Sequence, residues 1–246
     1  MKKLMFLSLA LSLVFTACKK SKNEADNTHQ NLLVKRTDSD GLIFIYAYDA
    51  NNRMTSYTRN SNPYNPAQNY TFTYNSNGSL AEYFESNNHI KGKCTYNANG
   101  TIANKKEYSV SGTVETLVNN YTYAYAGGIT TESYVYSGTG NGFRNEYKYD
   151  VNGNNIEEKA YSNTTTADPL GTFSGTITNA NYDAKKNPNS SYPSAFLFPG
   201  SAKNNSGALV YNPGGSETYS YEYNADGYPT KKTSVTGVTN YEYIRL

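Results

Sequence analysis

Apolar and polar residues alternate with a period of two along most of this chain, and short Asx-Gly clusters interrupt the alternation at regular intervals. Leu32-Leu33-Val34-Lys35-Arg36-Thr37 is followed by Asp38-Ser39-Asp40-Gly41 and then by Leu42-Ile43-Phe44-Ile45-Tyr46, which reads as strand, turn, strand. A seven-residue phrase then recurs: an aromatic or Cys, any residue, Tyr, Asn or Asp, a small residue, Asn or Asp, Gly. It reads Phe72-Thr73-Tyr74-Asn75-Ser76-Asn77-Gly78, returns beginning at Cys94, Tyr147 and Tyr221, and has a looser copy from Tyr46 to Asn52. Self-similarity of this kind marks one supersecondary unit used serially, here the β-hairpin. No stretch carries a helical period.

The turn chemistry sets the register. A type I turn closes over Ala225 and Asp226, with Gly227 in the left-handed region that a three-residue hairpin loop requires. Asn224 at the first position can hydrogen-bond backbone two residues on. This loop puts Tyr223 opposite Pro229, Tyr74 opposite Leu80, Tyr96 opposite Ile102 and Tyr48 opposite Met54, an aromatic against an aliphatic or Pro on one face. Strict alternation then places Thr73, Ala81, Thr95, Ala103, Glu222 and Thr230 on the other face, as an antiparallel sheet with one buried side requires. The expected fold is all-β: an antiparallel meander of serial hairpins, about 14 to 16 strands, closed into a barrel or a strongly rolled sheet.

The pattern fails in residues 162–216, which hold Pro169, Pro188, Pro193, Pro199 and Pro213 and the apolar island Ala195-Phe196-Leu197-Phe198. A long irregular segment in a compact domain is expected to plug one end of the β-structure, with a ligand-contacting loop and disorder as the alternatives. Tyr192, Phe196, Phe198 and Tyr211 are its candidate ligand-contacting aromatics.

The N-terminus adds an address. Lys2 and Lys3 precede an apolar run from Leu4 to Phe15, too short for a spanning helix and flanked as a signal peptide is. Phe15-Thr16-Ala17-Cys18 follows, and it resembles a bacterial lipobox with Phe15 where Leu is usual. That resemblance implies a signal peptide over residues 1–17, a lipidated Cys18 and a flexible polar tether over residues 18–31, ahead of one β domain over residues 32–246. The chain carries 22 basic and 20 acidic side chains, and losing Lys2 and Lys3 with the signal makes the counts equal. The basic pI is therefore no footprint for nucleic acid.

The Tyr-Asx-x-Asx-Gly phrase resembles the YD repeat of RHS-type proteins. The lipobox end Thr16-Ala17-Cys18, the run Tyr182 to Pro188 and the stretch Tyr221 to Thr230 resemble uncharacterised lipoproteins of Bacteroidetes-type bacteria with a porin-like β fold. The resemblance implies fold and location, an outer-membrane lipoprotein, but no activity. Lys19-Lys20-Ser21 after the lipidated Cys lacks the early acidic cluster of a surface-export signal, which implies the periplasmic leaflet.

Chemistry is sparse. The two histidines, His29 and His89, lie apart, and no metal-ligand spacing, nucleophile elbow or phosphate loop is present, so neither metal nor cofactor is expected. Asp150-Val151-Asn152-Gly153-Asn154 begins like a calcium loop, but Tyr161 stands where its bidentate Glu should be. Carboxylate pairs among Glu82, Glu85, Glu107, Glu132, Glu157, Glu158 and Glu217 have no distinguishing pattern. With Cys18 lipidated, Cys94 has no disulfide partner and, at a repeat position held elsewhere by Phe or Tyr, reads as a packed hydrophobe. Twenty-six Tyr against nine Phe and no Trp could build either a core layer or a platform for sugars. The expected protein is not an enzyme: it is a monomeric, lipid-anchored binding or scaffolding protein with an envelope protein or glycan as partner. A glycan-binding accessory lipoprotein using exposed Tyr-x-Tyr rungs is the alternative, and a hydrolase comes third.

Overall fold

The structure, a computed structural model, describes residues 31–165, 167–197 and 202–246. The signal segment, Cys18, most of the tether and Phe198 lie outside the described residues. The strands are β1 (Asn31–Asp38), β2 (Ile43–Tyr48), β3 (Met54–Arg59), β4 (Gln68–Tyr74), β5 (Leu80–Glu85) and β6 (Ile90–Tyr96). They continue as β7 (Ile102–Ser111), β8 (Val114–Ala126), β9 (Ile129–Tyr136), β10 (Gly142–Tyr149), β11 (Asn155–Thr164) and β12 (Thr172–Ala180). After a single helical turn, α1 (Ser194–Leu197), come β13 (Ala208–Asn212), β14 (Ser216–Thr218), β15 (Ser220–Tyr223), β16 (Pro229–Ser234) and β17 (Gly237–Arg245).

All strands join one sheet, and each pairs antiparallel with its sequence neighbours except β14 with β15. β17 returns to β1 through pairs such as Leu32 with Ile244 and Arg36 with Tyr241, so the meander curls into a nearly closed barrel. β14 and β15 form one stave broken at Tyr219, whose amide turns to the Gly207 carbonyl at 2.9 Å. Seventeen strands therefore make sixteen staves, the upper end of the expected range.

The Asx-Gly turns close as their residues require. Gly78, Gly100, Gly153 and Gly227 have φ of +86°, +82°, +84° and +78°, and each amide donates to the Asx carbonyl three residues back at 2.9 to 3.0 Å. Asn52 fills the same place in the looser copy, with φ of +61°. Asp49, Asp150 and Asn224 each accept two backbone amides through Oδ1, which accounts for the calcium-like phrase at Asp150 as turn chemistry.

The first cross-strand pairs fall as expected: Tyr48 with Met54, Tyr74 with Leu80, Tyr96 with Ile102 and Tyr223 with Pro229. Beyond them strict alternation fails. Thr73 pairs with Glu82 rather than Ala81, Thr95 with Asn104 rather than Ala103, and Glu222 with Lys231 rather than Thr230. A β-bulge at the second residue of each return strand adds one unpaired residue and inverts the phase that follows. Leu80, Tyr83 and Glu85 consequently face inward together, as do Ile102 and Lys105. The inner face is aliphatic and aromatic near the repeat turns and admits charge farther in.

Direction alternates strictly, so the start of β1, the end of β17 and the turns of the Tyr-Asx-x-Asx-Gly repeat lie on one rim, while the Asp38–Gly41 turn lies on the other. At the repeat-turn rim the ladders stop short and tyrosine hydroxyls complete them. The β5–β6 ladder ends at Glu82 with Lys93, which leaves the Leu80 carbonyl outside it, and Tyr96 donates to that carbonyl at 2.8 Å. The same relation joins Tyr48 to Leu33 (2.7 Å), Tyr74 to Met54 (2.6 Å), Tyr125 to Ile102 (2.8 Å), Tyr182 to Asn155 (2.5 Å) and Tyr243 to Pro229 (2.9 Å). In each case the acceptor lies two residues before the last paired residue of its strand. A buried carbonyl without a partner is costly, and Phe could not supply the proton.

Two boundaries move. Asn31, placed in the tether by the sequence, is the first residue of β1, and its side chain donates to Asp226 at 3.0 Å. The irregular segment shrinks from residues 162–216 to residues 181–207, because β12 and β13 pair in full from Thr176 with Asn212 to Ala180 with Ala208. Pro169 and Pro213 sit in turns between strands and are not signs of a continuous loop. Replacing Tyr96 with Phe should lower stability by about 1 kcal/mol, the net value of one hydrogen bond. Tyr64→Phe, at an 89% exposed loop position, should leave it unchanged. Urea denaturation of both variants measures the difference, and equal midpoints for Tyr96→Phe and wild type would contradict the bridging role.

Candidate functional site: the plugged interior

Residues 181–197 and 202–207 fold into the barrel from the repeat-turn rim. Asn154 and Asn204 exchange hydrogen bonds at 3.1 and 2.9 Å, tying the segment to the β10–β11 turn. Asp183 accepts from the Asn205 amide at 3.2 Å and from the Tyr223 hydroxyl. Deeper in, Phe196 meets the rings of Tyr70, Phe72 and Tyr83 edge-on at 5.1, 4.9 and 5.2 Å. Tyr192 packs edge-on against Tyr46 at 5.5 Å and bonds its hydroxyl at 2.8 Å. Burial pushes the Tyr192 hydroxyl far above the ordinary tyrosine range.

Of the four aromatics singled out in this segment, the structure thus joins Tyr192 and Phe196 to the core as anchors of the plug. Tyr211 stands apart on β13, 41% exposed, two residues beyond Leu209. Phe198 lies outside the described residues, as does Cys18. The Tyr-x-Tyr rungs, which the glycan-binding alternative needs exposed, face inward as a core layer: Tyr46 and Tyr241 are buried, and Tyr48, Tyr121 and Tyr243 pack against the same core. Inward facing follows from the register, which puts both rings of a rung on the side of Met54, Leu80 and Ile102.

Farther from the repeat turns the tyrosines serve half-buried carboxylates. Glu107 accepts from Tyr83, from Tyr121 at 3.2 Å and from Asn119 at 2.7 Å. Glu132 accepts from Tyr123 at 2.8 Å and Tyr147 at 3.3 Å. Burial, and then the Glu132 charge, raise the neighbouring Glu158 carboxyl above its ordinary range. Glu85, 2% exposed, accepts the backbone amides of Asn87 and Asn88 at 3.2 and 2.7 Å and so closes a turn on the far rim. These carboxylates are spent on internal hydrogen bonds. Glu82 and Glu157 lie on the opposite face of their strands. Among the described residues no three His, Cys, Asp or Glu side chains gather to hold a metal. Cys94 is buried, and burial pushes its thiol up to about 11.

Two cavities border the plug. One, of about 250 Å³, lies between Tyr192 and Phe196 and the wall residues Arg36, Gln68 and Tyr70. The larger, of about 340 Å³, lies between Asn187, Asn189 and Asn204 of the plug and a wall that includes Tyr221, Lys232 and Tyr241. Lys232 was invisible to strict alternation, which turns Lys231 inward from Pro229. The bulge reverses the two, so Lys231 pairs with Glu222 outside at 2.8 Å and Lys232 faces the cavity. The signal that could have found it is the Asx-x-Asx-Gly loop itself, had a bulge been attached to every copy.

Comparison with known proteins agrees with the repeat. The family model described as RHS Repeat matches residues 28–62, which run through β1 and the first repeat hairpin. The barrel is similar to a porin-like protein from Bacteroides vulgatus, at 12% identity and a TM-score of 0.48, over 87% of this chain and 99% of that one. A porin-like protein from Bacteroides uniformis is similar over 85% and 96% of the two chains, at 10% identity and a TM-score of 0.37. The Photorhabdus luminescens Tc holotoxin pore is similar over 85% of this chain but only 9% of its own, at 15% identity and a TM-score of 0.30. No curated protein matches the chain. The chain is thus an all-β, nearly closed barrel whose first strands match the RHS Repeat model.

Phe196→Ala should cost about 3 kcal/mol and expose residues 181–207 to limited proteolysis while the strands stay protected. Unchanged cleavage would show that Phe196 does not anchor the plug. The Cys94 thiol should resist a disulfide-exchange reagent at pH 8 in the native protein and react fully in urea. Fast native labelling would contradict its burial.

Proposed function

We propose that this protein is a lipid-anchored barrel on the periplasmic leaflet of the bacterial outer membrane, with a non-catalytic binding or scaffolding role toward a glycan or envelope protein. The outer wall supports the reading most directly. Lys35 pairs with Glu242 at 2.7 Å, Glu115 with Lys91 and Lys93 at 2.7 and 2.6 Å, and Lys231 with Glu222 at 2.8 Å. Ile45 and Ile244 are exposed on the same wall, but Lys35 stands beside Ile45 in the register and breaks any apolar band. A wall facing lipid needs a continuous apolar band, and charged side chains there cost about 2 to 4 kcal/mol each at the midplane. This wall suits water.

The plug argues in the same direction, since a lumen occupied by Tyr192 and Phe196 is a poor conduit. Membrane attachment then falls to the lipid at Cys18. β1 starts at Asn31 on the repeat-turn rim, so a short tether from Cys18 turns that rim toward the bilayer and the far rim toward the periplasm. The interior carboxylates accept hydrogen bonds from tyrosine and backbone donors, which favours structure over catalysis.

Cys18→Ala should move the protein from the membrane to the soluble fraction on cell fractionation, with the barrel folded by circular dichroism. Retention of the folded variant in the membrane would sink the lipid-anchor reading.

A further inference from the structure

The larger cavity holds hydrogen-bonding groups that the fold leaves unspent. Many of its lining side chains are committed: Tyr221 donates to the Ser206 carbonyl at 2.9 Å, Tyr219 to Glu217 at 2.8 Å, and Asn204 and Asn205 to backbone carbonyls of the plug at 2.9 and 3.1 Å. Lys232 is different. Its ammonium lies 3.8 Å from the centre of the Tyr219 ring, and among the described residues it has neither a carboxylate within ion-pair distance nor a hydrogen-bond acceptor. Glu217, whose charge it feels, is held instead by Tyr219 and by Thr236 at 2.6 Å. Burial holds the Lys232 pKa below the ordinary lysine range, as expected for an ammonium short of negative charge. Tyr241, 9% exposed, lines the same space, and among the described residues its hydroxyl has no hydrogen-bond partner; the Asn179 and Asn189 amides are likewise unspent.

A half-buried cation short of a counter-charge is stabilised by a ligand that brings an anion. The remaining donors and acceptors are neutral, and the Tyr219 and Tyr221 rings offer apolar faces. That combination suits a compact molecule with one carboxylate and several hydroxyls. About 340 Å³ lies at the lower end of small-molecule sites and accommodates a single sugar ring.

We propose that the cavity between the plug and β15–β17 binds a monosaccharide acid, with Lys232 receiving the carboxylate and Tyr241, Asn179 and Asn189 receiving hydroxyls. This deepens the binding role proposed above, and it is independent of the lipid anchor. Failure of Cys18→Ala to release the protein leaves it standing, and absence of the ligand leaves the anchor standing.

The test is isothermal titration of the full mature protein with sodium glucuronate, with glucose as the uncharged comparison. Glucuronate should bind, and glucose should bind about tenfold more weakly or less, since a charge-assisted hydrogen bond separates them. Lys232→Met should lose about tenfold in glucuronate affinity, and Lys232→Arg should retain most of it. Tyr241→Phe removes a hydroxyl that none of the described residues uses, so it should fold normally and weaken glucuronate about threefold or more. Tyr241→Phe decides the matter if Lys232→Met does not fold. Absence of glucuronate binding to the wild type, equal affinity for glucose, or full affinity in Tyr241→Phe together with any folded Lys232→Met would overturn the proposal.

Discussion

The backbone carbonyl left over at the end of each ladder is the constraint on which this barrel depends. A meander of short hairpins ends its pairing early wherever a bulge intervenes, and the carbonyl beyond the last pair has lost its strand partner. Tyr48, Tyr74, Tyr96, Tyr125, Tyr182 and Tyr243 each reach across to one such carbonyl. Each bond is modest, but it links consecutive hairpins that would otherwise be joined only by mid-strand ladders. The excess of Tyr over Phe follows from this use. A tyrosine at these positions fills the inner layer with its ring and satisfies the backbone with its hydroxyl, whereas Phe does only the first.

The bulges impose a second order on the interior. Moving the inward phase by one residue brings Glu85, Lys105 and Lys232 to the inside, where a strictly alternating strand would have kept them out. Elsewhere on the inner wall such charges are answered: Glu107 and Glu132 by tyrosine hydroxyls, Lys105 by the Tyr121 ring at 4.1 Å. Gly92 belongs to the same economy of space, since a Cβ there would stand 2.1 Å from Tyr83, whose ring lies flat over the glycine across the strand pair. The plug completes the filling. A sixteen-stave barrel is wide enough to leave a lumen, and residues 181–197 and 202–207 occupy part of it with aromatic anchors, leaving chambers beside them.

The repeat also explains why function is so muted in the primary structure. Residues that look like ligands for calcium at Asp150 or like a sugar platform at the Tyr-x-Tyr rungs are consumed by the turn and by the inner wall. What remains free is set by the failure of a neighbour to appear, as at Lys232, and no local motif records that.

Sequence alone determined the hairpins, their first cross-strand pairs, the all-β meander and its approximate strand count, because Asx-Gly turn chemistry and period-two alternation are local properties of the chain. It also raised the lipidation signal at Cys18. Tertiary structure decided which way each return strand faced after its bulge, where the proline-rich segment stopped being irregular, that Tyr192 and Phe196 anchor a plug, and which cation lacks a partner. Those outcomes depend on strands distant in sequence, such as the closure of β17 on β1, and on the volume the closed wall must fill. A period read along one strand carries information about neither.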